Sequence, residues 1–403
     1  MTRIIIPPID LHAGQRRILD KPTRFKVARC GRRFGKTLLA IEWLALMEGG
    51  AIDGVPVAFF APTYKLLLDV WTDMERTLKP ITRKANKTEM RIELITGGII
   101  DFWTLEDTDA GRGRKYARIV LDEAAHARYL KDAWERAIAP TLTDLRGDAW
   151  FISTPNGINF FHELYQRGDD PAFPDWAAFH MPSTANPHLD PGEVESKRTE
   201  LPELVFRQEY LAEFVTFGAG LVKPDMIVEA QCPPGLPVTL GVDLAISEKQ
   251  GADFTALVAM SRDPDSGIVY LREVERHRMA FHEVQNRIKA AAARWNPVMI
   301  AIEQTQYQAA VVQELARTTT LPVRGIRPDR DKLTRFMPLL TRYEQRQVRH
   351  DPSGVPAWFR DELLSFPEGE HDDGVDAAAY AFATFAAPPP MPRSLSFTVP
   401  TAA

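Results

Sequence analysis

The stretch that most constrains this chain is Cys30-Gly31-Arg32-Arg33-Phe34-Gly35-Lys36-Thr37, lying between an apolar strand-like run, Phe25 to Cys30, and a helix-like run, Lys36 to Met47. A glycine-bearing turn at that junction points its N–H groups, with those of the helix start, at one spot that suits phosphate oxygens. Gly31, Arg33 and Gly35 would shape the cradle, Lys36 would reach the β and γ phosphates of ATP, and the Thr37 hydroxyl would ligate Mg²⁺. One position departs from the usual pattern, because Cys30 stands where the first glycine is expected.

A second motif supports the first. Arg118-Ile119-Val120-Leu121-Asp122-Glu123 is an apolar strand closing on two acids. Asp122 is placed to hold Mg²⁺, directly or through water, and Glu123 to polarise the attacking water. Ser153-Thr154-Pro155 ends the next strand, Ala149 to Ser153, and its hydroxyls suit a sensor of the γ-phosphate. Gln15, upstream of the loop, has a side-chain amide able to read an adenine edge. Further strands at Val57 to Ala61, Arg91 to Ile95 and Ile99 to Trp103 alternate with a helix at Leu66 to Leu78, and Gly97-Gly98 marks a hairpin. Such alternation predicts a largely parallel sheet covered on both faces.

Composition narrows the class. The 403 residues are 45% hydrophobic and 26% charged, as in ordinary globular domains. No apolar run approaches the ~20 residues that a membrane helix needs. Met1 to Pro8 is broken too early by proline for a secretory signal, and Cys30 and Cys232 offer neither a disulfide framework nor a zinc site. The expectation is a cytoplasmic protein. With a net charge of −5, DNA contact would have to come from local basic stretches, Arg16 to Lys36 and Arg324 to Arg349.

The first domain is expected over residues 1–215, with Glu203 to Glu213 the clearest helix near its end, and a linker over 216–235 rich in glycine and proline. A second α/β domain follows over 236–386, and a proline-rich tail, 387–403, reads as disordered. Strands are expected at Val238 to Leu244, Thr255 to Met260, Ile268 to Val274, Val298 to Ile302 and Pro322 to Ile326, with helices at Phe281 to Trp295, Ala309 to Arg317, Leu333 to Gln347 and Asp373 to Phe385. Asp243 lies in an apolar strand, where an unpaired carboxylate costs at least ~2–3 kcal/mol and needs a partner or a metal. Glu303 ends another apolar strand, and His371-Asp372-Asp373-Gly374-Val375-Asp376 opens the last helix. Asp372 and Asp376, or Asp373 and Asp376, share one helical face. Gathered acids repel, and oxygen-only ligands suit Mg²⁺ or Mn²⁺, two such ions being able to hydrolyse a phosphodiester. Asp253 is a further candidate ligand. Three antiparallel strands, an acidic fourth and an acid-led last helix describe an RNase H-like nuclease.

The whole order resembles the large terminase subunit of tailed bacteriophages and prophages. The motifs that carry the resemblance are the octet at Cys30 to Thr37, Val120-Leu121-Asp122-Glu123-Ala124, Ser153-Thr154-Pro155, Gln15, the segment Phe206 to Phe214, and the acids Asp243, Glu303, Asp372, Asp373 and Asp376. The resemblance implies a P-loop (RecA/ASCE-like) ATPase domain joined to an RNase H-like endonuclease, with ATP, Mg²⁺ and Mg²⁺ or Mn²⁺ as cofactors. It further implies translocation of double-stranded DNA into a procapsid by a pentameric ring on the portal protein, and a small terminase subunit as partner in the host cytoplasm. On the same ground Arg32 would be a cis arginine finger, and Arg112 or Arg114 a finger for a neighbouring subunit. The competing readings are a helicase or translocase, which needs a second RecA-like domain, and a cellular repair nuclease-ATPase.

Overall fold

The structure, a computed structural model, describes residues 9–218, 220–244, 254–279, 281–304, 309–327 and 331–386. Asp253 and the tail 387–403 lie outside the described residues. The chain divides into two compact units, 1–216 and 217–403.

In the first unit, strands β1 (Phe25–Cys30), β2 (Pro56–Ala61), β3 (Thr82–Asn86), β4 (Arg91–Leu94), β5 (Ile99–Thr104), β6 (Arg118–Asp122), β7 (Asp148–Ser153) and β8 (Trp176–Met181) form one sheet. Their order is β3-β4-β5-β2-β6-β7-β1-β8. From β5 to β8 all neighbours run parallel, whereas β3, β4 and β5 form an antiparallel edge. The near-continuous apolar runs of the central strands follow from burial on both faces. Leu121 pairs with Phe151, and Ala28 with Ile152, so β6, β7 and β1 end side by side.

The helix after the loop differs from expectation. It is α-helical only over Lys36–Ile41, and Glu42–Leu46 widens into a π turn. Trp43 in that turn stacks on Trp150 of β7 at 4.0 Å, which makes a packing reason for the irregularity. The first basic stretch is also not simply a solvated face. Lys26 is buried and donates to the carbonyls of Ile18 and Leu19 at the end of the helix Ala13–Leu19. Those carbonyls have no partners within their own helix, so a cation there suits them. The helix Phe160–Asp169 and the edge strand β8 complete the unit beyond the sequence expectation, and a further helix spans Pro191–Glu200.

The second unit contains β9 (Val228–Glu229), β10 (Val238–Asp243), β11 (Thr255–Arg262), β12 (Val269–His277), β13 (Met299–Glu303), β14 (Val323–Ile326) and β15 (Val348–His350), in the order β14-β13-β10-β11-β12-β15-β9. The strands β10, β11 and β12 form an antiparallel meander, and β13 runs parallel to β10. The stretch 216–235 is not purely connecting chain, because β9 within it pairs with β15. A helix over Asp373–Ala386 packs across β10 and β11. Gly241 permits that packing: a Cβ there would lie 2.0 Å from the Ala377 carbonyl oxygen and 2.8 Å from the Ala381 Cβ. The close approach of Gly241 to alanines brings the acidic first turn of the helix toward the end of β10.

Candidate functional site

The first cluster sits at the carboxyl edge of three adjacent parallel strands, where open α/β sheets commonly bind ligands. The acids Asp122 and Glu123 arrive from the end of β6, and the hydroxyls of Ser153 and Thr154 from the end of β7. Cys30 closes β1, and its side chain is buried in the core, with burial pushing the thiol up to about 12. The residue at this position is thus still strand, which removes the need for glycine there. The turn proper begins at Gly31 and ends at Gly35, whose φ of 95° is left-handed and natural only to glycine.

Lys36 points back into the edge. Its Nζ lies 3.1 Å from Glu123 Oε1 and donates to Thr154 Oγ1 at 3.1 Å. Burial opposes the ammonium, yet the charges of Glu123, Cys30 and Asp122 and the bond to Glu123 outweigh it and raise its pKa. Asp122 is buried and accepts from the Glu123 N–H at 3.0 Å. Burial and the neighbouring Glu123 charge push its carboxyl up to about 7, against the pull of Lys36. Glu123 moves oppositely. Burial alone would raise its pKa, but Lys36, His126 and the Thr154 N–H hold it below the ordinary range. Its Oε2 accepts from the Thr154 N–H at 3.2 Å and from Ser153 Oγ at 3.3 Å. Two adjacent acids therefore differ in protonation, a familiar arrangement where roles differ.

Glu123 has a left-handed backbone, φ 46°. Such a conformation in a non-glycine residue costs on the order of 1–3 kcal/mol and concentrates at functional sites. It turns the chain sharply after β6, so that successive carboxylates serve different neighbours.

Gln15 is placed beside the loop, but its amide is engaged with it. Nε2 donates to the Gly35 carbonyl at 2.9 Å, and Oε1 accepts from the His12 N–H at 2.9 Å. Arg32 is exposed and pairs with Glu209. Thr37 stands in the first turn of the helix Lys36–Ile41. Arg112 pairs with Asp109 on the surface, and Arg114 lies in the same loop. Sequence reasoning missed the segment that clasps the loop from outside. Gly31 N donates to Met181 O at 2.8 Å, Arg32 N to Glu209 O at 2.7 Å, Ser183 Oγ to Arg32 O at 2.7 Å and Asn186 Nδ2 to Arg33 O at 2.7 Å. Nothing local in Ser183 or Asn186 signals this, since the contacts span about 150 residues.

The second cluster belongs to the other unit. Asp243 ends β10 and Glu303 ends β13, and these strands are parallel neighbours. Asp243 is held well above the usual carboxylate range, first by burial and then by its side-chain hydrogen bond to Glu303 and the charge there. Asp376 and Asp373 add to the same repulsion. Both are buried in the first turn of the helix Asp373–Ala386. Asp376 is raised by burial, against the attraction of Arg335, whose Nη2 donates to its Oδ1 at 2.9 Å. Asp372 turns outward: Lys332 Nζ donates to its two oxygens at 2.6 and 2.8 Å and lies 3.7 Å from Asp376 Oδ2.

The structure therefore brings Asp243, Glu303, Asp373 and Asp376 into one electrostatic neighbourhood and sets Asp372 against Lys332. Among the described residues no three His, Cys, Asp or Glu side chains are gathered as a finished cation cage. The donor set still fits a divalent ion. Burial and the neighbouring acids disfavour a bare charge on Asp243, which a divalent ion would offset, and all candidate donors are oxygens.

Two family models match in succession. Residues 28–225 match the terminase large subunit, T4likevirus-type, N-terminal model, and residues 240–385 match the terminase RNaseH-like domain. The large terminase subunit of Escherichia phage T5 is 34% identical over 203 residues, covering 49% of this chain and 45% of that relative. That of Thermus phage G20c is 36% identical over 119 residues, 26% of this chain and 24% of the relative. The aligned stretches thus span less than half the length of these curated relatives. A solved large terminase from a thermophilic bacteriophage has the same fold, with a TM-score of 0.65 at 14% identity, over 94% of this chain and 99% of that one. The second unit is not another P-loop sheet, so the helicase layout finds no support. With an N-terminal terminase ATPase-type sheet followed by an RNase H-like terminase sheet, the chain belongs to the large terminase subunit family.

Proposed function

We propose that this chain is a packaging motor and cutter: it hydrolyses ATP to drive double-stranded DNA into a procapsid and cleaves the concatemer with its second unit. The observation that carries the reading is the coexistence of two differently built acid sites in one chain. One is the Lys36–Glu123–Thr154 contact set at a phosphate loop. The other is the Asp243–Glu303 pair on a separate sheet.

In the first unit, Lys36 exchanges Glu123 for the β and γ phosphates of ATP, which frees the Glu123 carboxylate to orient and deprotonate water. Thr37 and Asp122 would hold Mg²⁺ there, and Asp243, Glu303 and one of Asp373 and Asp376 would hold Mg²⁺ or Mn²⁺ in the second unit. Bound divalent ions supply charge neutralisation of phosphoryl oxygens at both sites and a more acidic water at the second. Thr154 and Ser153 touch Glu123 and, for Thr154, Lys36, so loss of the γ-phosphate reaches β7 directly. Arg32 serves as a cis finger after release from Glu209, and Arg112 or Arg114 reaches a neighbouring subunit of a ring. Gln15 reads adenine once its Nε2 gives up the Gly35 carbonyl. In the second unit, Asp243 and Glu303 would hold a first ion, and Asp372 or Asp376, which Lys332 now contacts, would help hold a second. Portal protein, small terminase subunit, a pentameric ring and the host cytoplasm belong to the same reading. No described helix is long and apolar enough to cross a membrane.

The test is a double dissociation on the full chain. Glu123→Ala is expected to abolish ATP turnover and leave Mg²⁺- or Mn²⁺-dependent plasmid cutting intact; Asp243→Ala does the reverse. Undiminished cutting by Asp243→Ala sinks the nuclease assignment, and undiminished turnover by Glu123→Ala sinks the ATPase assignment.

A further inference from the structure

We infer that Glu362, braced by Arg276, is a positioning residue that sets where Asp373 and Asp376 stand relative to Asp243 and Glu303. The inference rests on the nuclease reading of that cluster. Glu362 lies on the helix Ala357–Ser365, and its side chain is only 2% exposed. Its Oε1 accepts from the Val375 N–H at 2.9 Å, and the Gly374 N–H also bonds to this carboxylate. These donors belong to the first turn of the helix Asp373–Ala386, where backbone N–H groups have no partners within the helix. A carboxylate there satisfies them and meets the positive end of the helix dipole. The two residues bonded lie between Asp373 and Asp376 in sequence. Any shift of Glu362 therefore moves both acids.

The other end of Glu362 is also fixed. Its Oε2 accepts from Arg276 Nη1 at 3.3 Å. Arg276 belongs to β12, in register with Ala256 of β11, so it is anchored in the central meander. Its guanidinium carbon lies 4.1 Å from the ring centre of Trp358 and 4.6 Å from that of Phe254. A planar cation against two rings has little freedom to re-aim its hydrogen bonds. The chain of contacts thus runs from the sheet through Arg276 and Glu362 to the helix that bears the acids.

Gly374 belongs to the same device. A Cβ at that position would lie 2.9 Å from Glu362 Oε1, 2.9 Å from Phe359 Cδ2 and 3.1 Å from Trp358 Cζ3. The glycine within Asp372-Asp373-Gly374-Val375-Asp376 is thereby explained by the approach of Glu362. Helix capping alone does not call for a buried acid beside other acids, since an uncharged acceptor avoids the repulsion. What the carboxylate adds is the second tie, to Arg276. Groups that orient metal-site carboxylates are worth about 10–100-fold in metal affinity or activity.

The experiment uses the full chain without nucleotide and reads Mn²⁺ binding by electron paramagnetic resonance, beside plasmid cutting as a function of Mg²⁺. ATP turnover reports folding of the other unit, and thermal unfolding that of the second. Glu362→Ala is expected to weaken Mn²⁺ binding about 10-fold or more and to shift the Mg²⁺ midpoint for cutting in parallel. Glu362→Gln, which keeps an acceptor for the helix but gives up the charged tie to Arg276, is expected to recover part of that loss. Arg276→Met, which loses the same tie, should match Glu362→Gln, and it decides the matter if Glu362→Ala unfolds the second unit. Mn²⁺ affinity within about twofold of the parent in a folded Glu362→Ala chain overturns the inference, as does Glu362→Gln being as damaging as Glu362→Ala. A parent chain that binds Mn²⁺ through Asp243 but never cuts plasmid defeats the nuclease reading alone, and the affinity series still decides the role of Glu362.

Discussion

The two acid clusters solve one electrostatic problem in opposite ways. At the phosphate loop the chain supplies its own cation. Lys36, its side chain only 10% exposed, stands among Asp122, Glu123 and Thr154, and it draws the Glu123 carboxyl below its usual range while burial and Glu123 push that of Asp122 up. At the β10 and β13 edge, no such ammonium stands between Asp243 and Glu303 among the described residues, and burial with the neighbouring acids holds the Asp243 carboxyl well above its usual range. The chain-borne cations there, Lys332 and Arg335, pair with Asp372 and Asp376 at the start of the last helix. A site that binds an anionic ligand needs a resident positive charge; one that binds a divalent ion needs its negative charge uncompensated until the ion arrives. The difference between the clusters is therefore a difference of ligand sign.

The sharpest way to break this comparison is to remove one lysine from each. Lys36→Met should lower ATP turnover by about 100-fold or more, the scale for loss of a group aimed at developing charge. Lys332→Met should change plasmid cutting by less than about tenfold, because Lys332 is exposed and its close contact is with Asp372, which faces outward. Equal losses in phosphate release and nicking assays would erase the distinction.

Gly241→Ala attacks the geometry of the second cluster without touching an acid. The new methyl meets the Ala377 carbonyl at 2.0 Å, so the helix must move. Cutting should fall by about tenfold or more, as misplaced ligands do, and ATP turnover should stay unchanged. Cutting at the parent rate in a folded Gly241→Ala chain would show that the helix position does not matter.

Acid should also separate the units. His350 is buried, shares a hydrogen bond of 2.8 Å with the Tyr343 hydroxyl, and has its pKa lowered to about 4 by burial and by Arg360. The unfolded chain binds a proton near pH 6.5, the folded one only near pH 4, so stability present above the first value is lost as pH falls toward the second. Melting of the second unit should drop across that window, and His350→Gln should flatten the drop. A melting temperature that holds constant from pH 6.5 to pH 4 would contradict this.

The smallest expected effect concerns Cys30. Because it is the last residue of β1 and packs inward, Cys30→Gly should leave ATP turnover within about threefold while lowering stability by about 1 kcal/mol, the strand cost of glycine. A large gain in turnover would mean that the cysteine perturbs the loop after all.

Much of both clusters was legible because their residues lie at strand ends, and strands advertise themselves by apolar runs. Asp122, Glu123, Asp243 and Glu303 are of this kind, and Lys36 was legible from the glycine-bearing turn before it. The short pairing of β9 with β15 left no such trace, since two- and three-residue strands are set by distant partners. Glu362 was equally hidden. In Arg360-Asp361-Glu362-Leu363 it reads as one more polar residue in a stretch given no element by the sequence, and only tertiary packing buries it against a helix start. The engagement of Asp372 by Lys332 was invisible for the same reason: charge pairs forty residues apart carry no periodic signal.

The ring beneath Arg276 gives the second unit a light of its own. Of the chain's eight tryptophans, Trp358 and Trp295 alone fall after residue 216, and Trp358 lies against the guanidinium that grips Glu362. Indole emission depends on nearby charge, so a Trp358→Phe difference spectrum isolates one fluorophore 4.1 Å from that brace. Titrating Mn²⁺ or DNA against this single signal would follow events at the cutting edge in real time, without label and without turnover.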